Sequence, residues 1–259
     1  REGGPTFATE FPDAALTGLG LWASGIGVGL QSELWGGGPA CGTPIGDQNL
    51  CDENTIYWWD RPTYGHYWSA AAPISDALLL TMLIAPTAYA GARAGVDDRL
   101  EDPGDAFGRS AAVSFQIQGA TLLATNMLKL LIRRPRPFTY DPVFPEEARY
   151  RADARLSFPS GHSSLAFASA SLLTIMILQE VDDEAAAAAA ITAAYGVAAT
   201  VGYLRIASRR HFISDVIVGA ALGSGIAHGL GWLQVANPRD RTDGTTAERR
   251  FVLTWGGMF

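Results

Sequence analysis

Residues 185–204, AAAAAAITAAYGVAATVGYL, carry no charged side chain. A helix needs about 20 mostly apolar residues to cross the hydrocarbon core of a bilayer, and this stretch has that length. A second one, VIVGAALGSGIAHGLGWLQVA at 216–236, has His228 as its single ionisable residue. Both are rich in Gly and Ala, a composition that lets helices approach closely in lipid. Apolar stretches recur at roughly 14–30, 67–92, 110–128, 161–178, 185–204 and 212–235, with the charges in blocks between them. The weakest is 110–128, which holds Gln116, Gln118 and Asn126. Asp76, inside 67–92, requires a polar partner or a place near the interface. The pattern predicts an all-α protein, a six-transmembrane-helix bundle forming one domain over 1–259, with 236–259 as a tail. The rival is a soluble all-helical protein, but core helices are usually shorter and show a polar stripe.

Six spans would place the connections 31–66, 129–160 and 205–211 on one side. The short links near 93–109 and 180–184, with both termini, fall on the other. The long connections and most of the Arg and His residues thus share a face. The chain has 26 Asp and Glu against 19 Lys and Arg, a formal charge of -7, which argues against a nucleic-acid surface. Lys and Arg divide evenly between the faces once Lys129, Arg136 and Arg205 are set aside, so the positive-inside rule does not orient the bundle. The two cysteines, Cys41 and Cys51, lie in ACGTPIGDQNLC. A disulfide is the simplest reading, and the chain-entropy account gives such a short loop about 2.5–3 kcal/mol. Disulfides persist in oxidising compartments, so this face is expected to be periplasmic or exterior; two unlinked thiols are the alternative.

That face carries a polar constellation. In KLLIRRPRPF, Lys129 and Arg136 are seven apart and share a helical face if the helix continues, while Pro135 and Pro137 signal that it ends near here. Arg133 and Arg134 lie off that face and read as cations snorkelling to the interface. In SFPSGHSSLAF, Pro159, Ser160 and Gly161 form a turn and an apolar helix follows at once. A helix start exposes unpaired N–H groups that favour anions; Ser160 suits the cap, and His162 falls in the first turn. In RIASRRHFISDVIVGA, His211 and Asp215 are four apart on one helical face. The carboxylate is expected to accept a hydrogen bond from one ring nitrogen of His211, fixing its tautomer. Arg205 is not in register with that pair and must be returned by a bend.

Fixed cations, backbone donors and two histidines suit phosphoryl chemistry. Cations and N–H groups stabilise charge on the equatorial oxygens, one imidazole attacks phosphorus, and the other protonates the departing oxygen. There is no GxSxG elbow for a serine nucleophile, and no HExxH or carboxylate cluster for metals.

These three segments resemble the signature of the type 2 phosphatidic acid phosphatase (PAP2) superfamily. Its parts are Lys-x6-Arg-Pro, here Lys129 to Pro137; Pro-Ser-Gly-His, here Pro159 to His162; and Ser-Arg-x5-His-x3-Asp, here Leu204 to Asp215. The resemblance is firm over about 110–225. One position departs, since Leu204 stands where the family has serine. The resemblance implies a PAP2-type core with extended loops on the active-site face. It implies His211 as nucleophile through a phosphohistidine, Asp215 orienting it, and His162 as general acid and then base. Lys129, Arg136, Ser160, Gly161 and Arg205 would hold the phosphate, with no metal and no cofactor. The integral-membrane branch further implies a lipid phosphate or diphosphate as substrate, of the phosphatidic acid, phosphatidylglycerol phosphate or undecaprenyl diphosphate class. The bilayer and that lipid would be its partners, the setting a bacterial inner membrane, and no nucleic acid would be bound. The alternatives are a non-catalytic lipid or anion transporter with a degenerate site, to which Leu204 points, and a vanadium haloperoxidase-like enzyme. Trp58, Trp59, Tyr64, Tyr67 and Tyr140 would line a substrate path or anchor at the interface.

Overall fold

The computed structural model describes residues 6–34, 40–41, 50–64, 67–98 and 100–235. Over these the chain is all-α. The helices are α1 (Phe11–Leu34), α2 (Ala71–Val96), α3 (Pro103–Ile132), the short α4 (Glu146–Tyr150), α5 (Gly161–Glu180), α6 (Glu184–Ala207) and α7 (Ile213–Gln234). Single 3-10 turns lie at Glu53–Thr55, Arg61–Tyr64, Pro137–Tyr140 and Ala152–Arg155. Local chemistry sets several helix starts. Asp102, Ser160 and Asp183 each accept a backbone N–H of the first turn through the side chain, and Pro103 follows its cap directly.

The helix α5 is the axis of the bundle, packed against α2, α3, α6 and α7. One core layer joins Val113 and Ile117 of α3 to Ala168, Leu172, Ile175 and Met176 of α5, with Ala90 and Ala227 closing it. Another joins Met82, Ala166, Ala170, Ala198 and Val201 from α2, α5 and α6. The approach of α7 to α5 is set by glycine. A β-carbon on Gly219 would stand 2.6 Å from the Ser160 carbonyl oxygen, and one on Gly223 would stand 1.9 Å from that of Ser164.

The expectation of six membrane-spanning helices is corrected. Among the described residues four helices, α2, α5, α6 and α7, are long and apolar enough to cross a membrane. The stretches at 14–30 and 110–128 do fold as the long helices α1 and α3, but neither is apolar enough. Polar residues punctuate α3, and their side chains are used for packing. Asn126 donates to the Gly25 carbonyl at 2.9 Å and Gln118 to that of Leu83 at 2.8 Å. From α1, Trp22 donates to the Phe115 carbonyl at 2.9 Å and stacks on its ring at 5.5 Å.

At one end of the bundle the chain is knotted by loop contacts. The Trp68 N–H donates to Ala207 O, the Phe138 N–H to Arg209 O and the Ser157 N–H to Arg134 O, at 2.9–3.2 Å. Here Cys41 and Cys51 are joined as a disulfide, packed with Ile56, Tyr140 and Phe212. At the other end Arg93 pairs with Glu180 at 3.2 Å, and the Thr6 hydroxyl donates to the same carboxylate. The tail at 236–259 and residues 35–39, 42–49 and 65–66 of the 31–66 connection lie outside the described residues.

Candidate active site

The loop-bearing end gathers the last turn of α3, the first turn of α5, the last turn of α6 and the start of α7. The helix α3 stops at Ile132, where Arg133 caps it with a left-handed backbone (φ 49) and Pro135 follows. Lys129 therefore lies in the final helical turn and Arg136 in extended chain beyond it, not on one continuous helical face as the spacing suggests. The chain reversal brings the two charges together instead. Burial, and then the Arg136 charge, pull the Lys129 ammonium from 10.5 down to about 8.

Arg136 is buried and clamped by the turn that follows α4. Its N–H donates to Ala154 O and its Nε to Asp153 O, each at 2.9 Å, and its Nη2 meets Asp153 Oδ1 at 2.5 Å. Burial alone would raise the Asp153 carboxyl, but Arg136 and Lys129 outweigh it and hold it below 3.8. The remaining nitrogen, Nη1, donates to Arg210 O at 3.1 Å and lies 3.4 Å from His211 Nε2. Asp153 and Arg210 also line a cavity of about 520 Å³ walled by Phe138 and Phe144.

His211 is buried at the centre of this end. Its Nδ1 lies 2.7 Å from the Ser157 carbonyl oxygen. A carbonyl only accepts, so Nδ1 carries the proton and Nε2 keeps its lone pair. Burial first, then the charges of Arg136 and Lys129, push His211 well below 6.5 and keep it neutral at pH 7. The direct hydrogen bond expected between His211 and Asp215 is not made, since Nδ1 and Oδ2 are 3.7 Å apart. Asp215 instead accepts from the Ser157 hydroxyl at 2.5 Å, the Phe212 N–H at 2.8 Å and Arg134 Nη1 at 2.7 Å. Ser157 thus stands between the two, holding the carboxylate with its hydroxyl and the imidazole with its carbonyl.

Arg134 was expected at the interface, and its place is a second correction. It spans Asp215 and Asp60, which is fully buried, at 2.7 Å each, and lies 4.1 Å over the Phe212 ring. Asp60 also accepts from the N–H and hydroxyl of Ser214. Arg133 stays exposed, donating to Leu130 O.

The α5 start is held to α7, because the Ser160 N–H donates to Asp215 O at 2.9 Å. The Ser160 hydroxyl caps the helix, accepting from the Ser163 N–H at 3.3 Å. A β-carbon on Gly161 would stand 3.6 Å from Lys129 Nζ, so bare backbone faces that ammonium. One residue on, His162 Nε2 meets Asp76 Oδ1 at 2.7 Å, and Arg205 Nη1 reaches the same oxygen at 3.0 Å. This is the polar partner that Asp76 required. Arg205 Nε is buried with no hydrogen-bond partner among the described residues. The bend after α6 that returns Arg205 toward His211 is visible in the Arg210 and His211 N–H groups, which both donate to Arg205 O. Leu204 is buried, and the nearby Ser208 hydroxyl is turned back onto Arg205 O at 3.2 Å, so it does not replace the missing serine.

Tyr57, Trp58, Trp59, Tyr67 and Trp68 are exposed around this end, whereas Tyr140 is buried. Among the described residues no group of three or more His, Cys, Asp and Glu side chains is placed to hold a metal ion.

The chain brings the polar ends of helices long and apolar enough to cross a membrane to one mouth that holds Lys129, Arg136 and Arg205. Its family is the PAP2 superfamily, to which the chain belongs: that family's model matches residues 110–239 of the 259. A similar solved structure is the crystal structure of the first transmembrane PAP2 type phosphatidylglycerolphosphate phosphatase from Bacillus subtilis. It is 17% identical, covers 86% of this chain and 94% of that one, and has a TM-score of 0.48. No protein with a curated description matches the chain.

Proposed function

We propose that the protein hydrolyses a lipid phosphate or diphosphate through a phosphohistidine on His211. The observation that carries this reading is the state of His211. Nδ1 is tied to a carbonyl, the ring is neutral, and Nε2 points its lone pair toward the Arg136 guanidinium at 3.4 Å. A phosphoryl group held by Arg136, Lys129, Arg205 and the α5 start would meet that lone pair in line. His162, at the other mouth of the site, protonates the leaving oxygen and later activates water. Asp215 supports His211 through Ser157. The exposed aromatics suit an end that lies at the depth of the lipid headgroups, which favours a lipid-borne phosphate over a free one. The Cys41–Cys51 bond supports placing the site on the oxidising side of the membrane.

The test is phosphate release from phosphatidic acid and from an isoprenyl diphosphate by the detergent-solubilised protein, with and without excess EDTA. Release that survives EDTA from at least one of the two supports the reading. Transport of lipid phosphate in proteoliposomes without release would replace it with the transporter.

A further inference from the structure

Asp76 lies on α2, outside the segment that matches the family. A carboxylate is an awkward neighbour for an anion site. It takes up Arg205 Nη1 at 3.0 Å and repels an incoming phosphate, so its presence weakens substrate binding. It also contributes little to stability, since 62% of its side-chain surface is exposed and exposed ion pairs are weak. What it does hold is His162, through Nε2 at 2.7 Å. The carboxylate only accepts, so Nε2 carries a proton and Nδ1 is left as the nitrogen that can serve the substrate.

We infer that Asp76 is a positioning residue for proton transfer to the leaving group: it fixes the His162 ring with Nδ1 toward the departing oxygen and compensates the charge of the imidazolium. The inference rests on the phosphatase reading. As His211 Nε2 donates its pair to phosphorus, the bond from phosphorus to the lipid oxygen breaks and its electron pair stays on that oxygen. The Nδ1 proton of the His162 imidazolium passes to it. In the second half a water oxygen attacks phosphorus, one water proton returns to Nδ1, and the phosphorus–nitrogen bond breaks with its pair returning to His211. Asp76 neither gives nor takes a proton in either half. Burial and the Arg205 and Lys129 charges oppose a cationic ring, so the imidazolium forms when the negative charge of the bound phosphate joins that of Asp76 beside it.

The consequence is a split between binding and turnover. In Asp76→Asn the shape is kept, the charge is lost and Arg205 is released to the phosphate. With phosphatidic acid, whose alkoxide leaving group needs protonation, kcat falls about 10–100-fold, part of what a general acid supplies, while KM stays level or falls. With nitrophenyl phosphate, whose leaving group needs little protonation, the rate of phosphoenzyme formation changes by less than about threefold, and only the later hydrolysis, in which Nδ1 takes the water proton, is slowed. Asp76→Glu, which restores the charge, recovers part of the lipid rate. Equal losses in the rate of phosphoenzyme formation on both substrates, or a raised KM with unchanged kcat, would overturn the inference and leave Asp76 as a support for Arg205. A wild-type protein inactive on both substrates would overturn the phosphatase reading, and this inference with it.

Discussion

The Ser157 carbonyl oxygen, not the Asp215 carboxylate, accepts the hydrogen bond from His211 Nδ1, at 2.7 Å against a separation of 3.7 Å. The tautomer of His211 is therefore held by backbone, and Asp215 acts one step removed. Asp215→Asn is expected to lower kcat by about 10–100-fold, matching the loss of charge-assisted hydrogen bonding of about 1.5–3 kcal/mol. A directly coupled His–Asp pair loses about 10⁴. Ser157→Ala keeps the carbonyl and should lose less than Asp215→Asn. Steady-state kinetics of both variants check the order, and a loss near 10⁴ for Asp215→Asn would mean that the direct bond forms during turnover.

Arg134 joins two fully buried carboxylates, Asp60 and Asp215. Arg134→Met leaves both without their cation, and breaking a buried pair in this way destabilises by about 3–5 kcal/mol. Thermal unfolding in detergent should show a large fall in Tm. The double variant Arg134→Met with Asp60→Asn should recover part of it, because one uncompensated charge has been removed. No recovery would show that Asp60 and Arg134 are not coupled.

The Lys129 ammonium titrates at about 8 rather than 10.5 because burial and Arg136 disfavour its charge. It is charged below that pH and neutral above it, so the site loses one positive charge as the pH rises. KM should climb by about 10–100-fold across this transition, the effect of losing one charge-assisted bond of about 1.5–3 kcal/mol. Lys129→Arg keeps its charge throughout and should flatten the profile. A wild-type KM constant to pH 9.5 would contradict this.

The two histidines separate under rapid quench with labelled substrate. His211→Ala should form no phosphoenzyme. His162→Ala should lose about 10²–10⁴ in turnover of a lipid phosphate, yet still take phosphate from nitrophenyl phosphate and stall there. Label trapped on His162 in the His211→Ala variant would reverse the assignment.

The sequence announced the long helices closely: 185–204 became Glu184–Ala207, and 161–178 became Gly161–Glu180. It overcounted the membrane crossings, because α1 and α3 are long but fall short in mean hydropathy, with Gln116, Gln118 and Asn126 punctuating α3. Lys129, His162, Arg205 and His211 were legible because each sits at a helix end beside a turn signal. Asp60, Arg134 and Asp153 were not. Each acts through a partner more than fifteen positions away in sequence, and no helical periodicity relates them. Arg134 in particular was judged by the geometry of a helix that had already ended at Ile132. Asp76 gave half a signal, since a lone charge in an apolar stretch demands a partner without naming it.

A β-carbon on Gly223 would stand 1.9 Å from the Ser164 carbonyl oxygen, so α5 and α7 touch backbone to backbone. No side chain lies between them at that point to be enlarged or trimmed. Those two helices carry the Ser160–His162 turn and Asp215, so the distance across the proposed phosphate site is fixed by main-chain contact. Descendants of this chain can diversify where larger side chains mediate, along α2, α6 and the aromatic loops. The α5–α7 seam tolerates almost no change, so new substrate preferences would arise around a fixed pair of helices.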